Sequence, residues 1–331
     1  MNRADSRRKP LYDKGMSKPA ILAAAPFPPV TMVALEQAFT VHRLWEGFPG
    51  AVAGTIRAMA TNALFGTLDA AMMDRLPALG LIANFGVGYD AIDVAAAAVR
   101  GIVVSNTPGV LDEEVADLTL GLLLATIRRL PQAERHLRAG LWAKGEAFPL
   151  SPTLRGRRVG ILGLGAIGKA VARRLEGFGV EIAYHGRTRQ EGVAYPWYPS
   201  ALALAGAVDV LVVVVPGGAA TAGLVDADVL AALGPQGVLV NVARGSVIDE
   251  DALVAALGNG TILAAGLDVF AHEPHVPPAL LDLDNVVLLP HIGSGSQATR
   301  QAMGQLMIDN LSSWFATGKA LTPVPETPQA G

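Results

Sequence analysis

Arg158-Val159-Gly160-Ile161-Leu162-Gly163-Leu164-Gly165-Ala166-Ile167-Gly168-Lys169-Ala170-Val171-Ala172-Arg173-Arg174-Leu175 decides the fold. A short apolar run of strand character ends in glycine, and an amphipathic helical pattern begins almost at once. Between them stands a GxGxxG spacing. Gly163 permits a tight turn, Gly165 lets backbone approach a pyrophosphate, and Gly168 lets helix and strand pack closely. The start of the following helix offers free N–H groups and positive potential to phosphates. The glycine spacing alone is weak evidence. Its place between a strand and a helix makes it a dinucleotide fingerprint.

The next strand, Val180-Glu181-Ile182-Ala183-Tyr184, runs into His185-Gly186-Arg187-Thr188-Arg189. An NAD site usually places an acid here to accept from the ribose 2′-hydroxyl. No acid stands at this strand end, and Glu181 is at its start. Arg187, Thr188 and Arg189 instead suit a 2′-phosphate, so NADPH is expected over NADH. The competing reading, two solvated loop arginines, leaves the missing acid unexplained.

Outward from this core the pattern is regular. Strand-like runs fall at 159–162, 180–184, 210–215, 238–242, 263–269 and 286–289, mostly separated by helical stretches. That alternation predicts an α/β fold with a doubly wound parallel sheet. Upstream, Ile21–Ala25, Gly80–Phe85 and Ile102–Asn106 read as strands, with a glycine-bearing loop at 86–90. A helix is expected from Asp112 to Arg129, with acids in its first turn and Arg128 and Arg129 in its last. Met303, Leu306, Met307 and Leu311 share one face of a helix over 294–317, which could return to the first domain.

Composition sets the remaining bounds. The 331 residues are 51% hydrophobic and 17% charged, which excludes a disordered chain. A net charge of −3 gives no reason to expect nucleic acid. There is no cysteine, so disulfides and thiolate chemistry are excluded. Six basic residues fall within positions 1–18 and read as a tail rather than a targeting peptide. No apolar run approaches a membrane span, and a cytoplasmic protein is the default expectation.

Three charged residues follow apolar runs. Arg244 comes after Val238–Val242, Glu273 after Ala264–Phe270, and His291 after Val286–Pro290. In open α/β sheets ligands bind beyond the carboxyl ends of the strands. His291 could exchange protons near neutral pH, Glu273 could orient and charge it, and Arg244 could grip a carboxylate. Each one alone would more often be a surface ion pair or a satisfied histidine; their shared placement beside a dinucleotide fingerprint points to hydride transfer to a 2-oxo acid. His272-Glu273-Pro274-His275 is not read as a metal site, because its histidines are three apart and proline disfavours the helix such a site needs.

These residues resemble a known family. Gly163–Gly168, Asn241–Glu250, Leu267–Pro274 and Leu289–Ser294 are similar to the motifs of the D-isomer-specific 2-hydroxyacid dehydrogenases. The resemblance implies two Rossmann-like domains with the active site in the cleft between them. Residues 1–109, completed by 294–331, would form the substrate domain, and 110–293 the dinucleotide-binding domain. It implies catalytic roles for Arg244, Glu273 and His291, and backbone donation from Val87 and Gly88 to the substrate carboxylate. Gly163, Leu164, Gly165, Ala166, Ile167, Gly168, Gly186, Arg187, Thr188 and Arg189 would form the cofactor loops. Pro216, Thr221, Val242, Ala243 and Gly293 would line the cofactor cleft, and Asp268 would meet the nicotinamide carboxamide. The arginine loop is similar to that of the NADPH-preferring glyoxylate/hydroxypyruvate reductases. The substrate expected is a small 2-oxo acid such as glyoxylate or hydroxypyruvate, reduced to the D-hydroxy acid.

The resemblance also implies a homodimer, with Leu141 and Trp142 reaching toward the partner. Hydroxyphenylpyruvate and 2-ketogluconate reductases of the same family stay open as alternatives. Phe85, the Ala60–Leu64 loop and Trp142 are expected to shape the pocket that separates them. A phosphoglycerate dehydrogenase is disfavoured, because the chain stops soon after its closing helix. A formate dehydrogenase is disfavoured by Glu273. In another class, a non-catalytic dinucleotide sensor akin to some corepressors would share this fold and could retain the charged set.

Overall fold

Runs of buried apolar residues at strand length set the architecture, because strands of a parallel sheet covered on both faces read as continuous hydrophobic stretches. A computed structural model describes residues 17–62 and 66–328. It divides into two units, Met1–Leu111 with Gln297–Gly331, and Asp112–Ser296.

In the first unit, β1 (Ala20–Ala23), β2 (Thr40–Arg43), β3 (Ala58–Thr61), β4 (Leu81–Asn84) and β5 (Val103–Ser105) form a parallel sheet in the order β2-β1-β3-β4-β5. Leu22, Met59, Ile82 and Val104 face one core. The Gln297–Thr317 helix belongs to this unit, and it packs tightly because small residues meet it. A Cβ on Gly304 would stand 2.3 Å from Thr31 Oγ1, and one on Gly80 would stand 2.5 Å from the Trp314 ring. The chain beyond it returns to the sheet edge, where Val324 N–H donates to Val104 O.

In the second unit, β6 (Arg158–Leu162), β7 (Glu181–His185), β8 (Trp197–Tyr198), β9 (Val210–Val213), β10 (Val238–Asn241), β11 (Ala264–Leu267) and β12 (Val286–Leu288) form a parallel sheet in the order β12-β11-β10-β9-β6-β7-β8. Alternate residues supply two cores. Leu211, Val213 and Leu239 face one side, and Val210, Val212, Val238 and Val240 face the other. The Asp112–Ile127 helix crosses close to β11, where a Cβ on Gly266 would come within 2.5 Å of Thr126 Oγ1. Strand order reverses between β6 and β9. Open α/β sheets bind ligands beyond the strand ends at such a switch.

Several expectations need correction. The helix from Asp112 ends at Ile127, not Arg129. Arg129 turns the chain with φ +54°, and a new helix runs Leu130–Arg138. Pro131, which lacks an N–H, is tolerated in a first turn but not mid-helix. Arg128 and Arg129 therefore do not cap a long helix. They bond Ser151 and Asp284. Ala60 and Thr61 are not loop but the buried end of β3, while Ala63 and Leu64, like residues 1–16, lie outside the described residues. β2 and β8 were not anticipated. The strand-like run at 263–269 leaves the sheet at Leu267, and that at 210–215 leaves it at Val213.

Candidate active site and dinucleotide site

The dinucleotide loop follows from steric necessity. Gly163 has φ +104°, and a Cβ there would meet Val215 at 2.9 Å. A Cβ on Gly168 would stand 2.1 Å from Gly163 O, so only glycine lets the Ala166–Glu176 helix start this close to β6. Gly165 is different. A Cβ there would meet nothing within 4 Å, so open space lies over the turn. The helix has no side-chain cap and no acid in its first turn, so its N–H groups and positive potential are free for a phosphate. Leu164 is buried, Ala166 is exposed and Ile167 is half-buried. These features fit a pyrophosphate.

Neighbouring strand ends flank this loop. Gly163 N–H donates to His185 O, at the end of β7. Beyond it, Arg187, Thr188 and Arg189 are exposed. Neither arginine has a hydrogen bond or ion pair to another described residue, which fits a pair of cations that meets a ligand phosphate. The loop itself is anchored. Trp197 Nε1 donates to Gly186 O at 3.2 Å, and Gln190 Nε2 donates to Leu164 O at 2.8 Å. On the other flank, Thr221 Oγ1 donates to Pro216 O at 2.6 Å and closes the turn after β9. Val242 N–H reaches back to Val213 O across the ends of β9 and β10.

The charged set assembles beyond the ends of β10, β11 and β12. Asn241 ends β10 and organises the turn that carries Arg244. Its Oδ1 accepts from Ala243 N–H, and its Nδ2 donates to Arg244 O. Gly245 then lies directly against the Phe270–Ala271 peptide, where a Cβ would be 1.9 Å from Phe270 C. Glu250 Oε1 accepts from Ala271 N–H at 2.8 Å. The segment bearing Arg244 is thus joined to the segment bearing Glu273.

Glu273 Oε1 accepts from Phe270 N–H at 3.0 Å, and its Oε2 lies 2.7 Å from His291 Nδ1. Burial alone would raise the Glu273 carboxyl. The bond and charge of His291, the Phe270 N–H and the Arg244 charge outweigh it and hold the carboxyl below its usual range. His291 adopts φ +53°, a left-handed backbone that histidine adopts more readily than most side chains. Asp268 holds it there. Asp268 O accepts from His291 N–H, Oδ1 from Ile292 N–H and Oδ2 from Gly293 N–H, at 2.7–2.8 Å. Burial pushes the Asp268 carboxyl up, although these N–H groups and His291 oppose it.

Arg244, Glu273 and His291 therefore come together, with Asp268 behind the histidine. Each Asp268 oxygen already accepts one bond and has a lone pair left for another donor. His272 and His275 pair across a tight turn rather than along a helix. In the first unit, Val87 and Gly88 lie in the loop after β4, half-buried. Phe85 is only 5% exposed and packs edge-to-face on Phe27, so it is a core side chain of that unit. Trp142 is 70% exposed. Sequence reasoning missed Glu250, Gln190 and Trp197. Only Glu250 left a trace, as an acid in the first turn of the helix just after the Arg244 motif.

Comparison with known proteins gives concordant findings. Residues 120–293 match the model of the D-isomer specific 2-hydroxyacid dehydrogenase NAD binding domain. The chain is 45% identical over 295 residues to glyoxylate/hydroxypyruvate reductase A of Arabidopsis thaliana, covering 88% of this chain and 94% of that protein. It is 43% identical over the same length to hydroxyphenylpyruvate reductase of Plectranthus scutellarioides, with the same coverage. Among solved structures, an NADPH-dependent glyoxylate/hydroxypyruvate reductase from Sinorhizobium meliloti, in complex with NADP and malonate, is similar at a TM-score of 0.90 and 54% identity. That match covers 95% of this chain and 99% of the other.

Proposed function

The chain belongs to the D-isomer-specific 2-hydroxyacid dehydrogenase family, and on that premise we propose that it reduces small 2-oxo acids, glyoxylate and hydroxypyruvate, to D-2-hydroxy acids with NADPH. The observation that carries this reading is the Arg244–Glu273–His291 constellation beyond the strand ends of the same sheet that carries the glycine loop. The identity of 54% to an NADPH-dependent relative supports the cofactor.

Gly163–Gly168 and the N-terminus of the Ala166–Glu176 helix would hold the pyrophosphate, and Arg187, Thr188 and Arg189 the 2′-phosphate. When bound, the nicotinamide supplies a hydride to the carbonyl carbon of the substrate. His291 holds the proton that the carbonyl oxygen takes up, from the ring nitrogen opposite Glu273. Glu273 fixes the ring through its 2.7 Å contact. Arg244 binds the substrate carboxylate and polarises the carbonyl beside it. In the first unit, the backbone N–H groups of Val87 and Gly88 would donate to a substrate carboxylate. Asp268 keeps the His291 turn rigid and offers a remaining lone pair to the cofactor amide.

We assign the chain further to a homodimer. The second unit exposes Leu130, Leu137, Trp142 and Leu150, at 51–100% of their surfaces, along a single stretch of chain. An apolar stretch of this kind favours self-association. Light scattering at several concentrations tests the assignment. No helix among the described residues is long and apolar enough to cross a membrane. With NADPH as cofactor, a cytoplasmic location is the reading we adopt.

A panel of 2-oxo acids compared by kcat/KM with NADPH tests the substrate. Glyoxylate and hydroxypyruvate should lead. A clear preference for hydroxyphenylpyruvate would move the protein to the aromatic branch of the family.

A further inference from the structure

We propose that Asn84 and Asn106 are positioning residues that aim the backbone N–H groups of Val87 and Gly88 at the substrate carboxylate. In a trans peptide the carbonyl of one residue and the N–H of the next point in opposite directions. A residue that captures the carbonyl therefore aims the following N–H. In the loop after β4 each carbonyl is captured. Gly86 O accepts from Asn84 Nδ2 at 3.1 Å and from Thr107 N–H at 3.0 Å. Val87 O accepts from Asn106 Nδ2 at 2.9 Å. Gly88 O accepts from the second Asn84 hydrogen at 2.9 Å.

Asn84 and Thr107 hold Gly86 O, so Val87 N–H points the other way. Asn106 holds Val87 O, so Gly88 N–H does too. Neither N–H has a partner among the described residues. Two adjacent unpaired N–H groups are donors that a carboxylate can take. The donors are themselves fixed. Asn84 is 4% exposed at the end of β4. Asn106 is held through its backbone, since its O accepts from Thr322 Oγ1 at 2.6 Å and its N–H donates to Thr322 O at 3.2 Å. Thr322 is held in turn by the fully buried Asn310 of the Gln297–Thr317 helix, through its hydroxyl and its N–H. The closing helix thereby supports the loop through hydrogen bonds as well as packing.

An amide suits these positions and a carboxylate does not. Its NH2 donates to a carbonyl, whereas an aspartate of the same shape has no hydrogen to give and would repel it. The inference rests on the reading above that Val87 and Gly88 take the carboxylate.

The test uses the full-length protein at saturating NADPH, with glyoxylate as substrate and oxamate as an unreactive carboxylate probe. Asn106→Ala and Asn106→Asp should each raise the glyoxylate KM and the oxamate inhibition constant at least about tenfold, with kcat within about threefold of wild type and the NADPH KM unmoved. The alanine variant excludes charge repulsion as the cause, and the aspartate variant excludes lost volume. Unchanged KM and oxamate inhibition in both would overturn the positioning role. So would a fall in kcat and in NADPH affinity of the same size, which would mark a general structural defect. A third arm separates the underlying reading. If wild type reduces the uncharged amide of glyoxylate as well as glyoxylate itself, the carboxylate reading fails and the inference fails with it. Where thermal melting shows that the Asn106 variants do not fold, Thr322→Val, which removes the hydroxyl that bonds both Asn106 O and Asn310 Nδ2, should raise KM in the same direction, and an unchanged KM would overturn the proposal.

Discussion

Glu273→Gln isolates the charge of the carboxylate that faces His291. Glutamine keeps the shape and can still accept from Phe270 N–H, so the turn is retained while the negative charge is lost. A hydrogen bond to a charged group contributes about 1.5–3 kcal/mol. The two side chains are 35% and 28% exposed, so solvent screens the pair and the lower end applies. About 1.4 kcal/mol is tenfold in rate, so kcat/KM for reduction should fall about tenfold. Without Glu273 the ring loses the anion bonded to its Nδ1 side, so the proton for the carbonyl oxygen is less well placed. The assay is kcat/KM for glyoxylate with NADPH. Stability carries a second signature. The folded Glu273 carboxyl lies below its ordinary value of 4.5, so its contribution is present above that pH and is lost as pH falls through the folded value. The variant should therefore lose part of the parent's acid destabilisation below about 4.5. A kcat/KM within about twofold of wild type would refute the reasoning.

The remaining perturbations act on the cofactor loops. Arg187→Ala should lower the ratio of kcat/KM for NADPH over NADH at least about tenfold, with NADH turnover little changed; an unaltered ratio would leave the 2′-phosphate to other residues. Gly168→Ala places a Cβ 2.1 Å from Gly163 O, so the helix must shift. It should destabilise the protein by about 1–3 kcal/mol and weaken NADP binding, as read by thermal melting and titration, and wild-type values in both would show that the helix start is not held this tightly.

What the sequence reveals depends on how local the cause is. The glycine loop is legible because each glycine answers a contact within a few residues, such as Gly168 against Gly163 O. The charged residues at strand ends are legible because a polar residue after a buried parallel strand stands where ligands bind. β8, two residues long, has no periodicity to read. β3 is short and half alanine, so its composition does not mark it as a strand. The end of the helix near Arg129 is legible, but the second helix at Leu130–Arg138 is not, because Pro131 reads as a stop although it is tolerated in a first turn. The contacts that organise the site are also hidden. Glu250 with Ala271, Gly245 against Phe270 and Asn106 with Val87 join segments 19–25 residues apart, and no local pattern specifies such a partner. Phe85 shows the same limit: next to a glycine loop it reads as a pocket residue, whereas packing on Phe27 makes it core.

NADPH oxidation with glyoxylate, followed in wild type and His291→Ala with NADP affinity measured alongside, tests the central claim most directly. The account predicts turnover by wild type, a fall of about 10²–10⁴-fold in kcat for the variant, and NADP binding largely retained. Absence of NADPH oxidation by wild type with glyoxylate or any other small 2-oxo acid, or a variant that turns over at the wild-type rate, would contradict it.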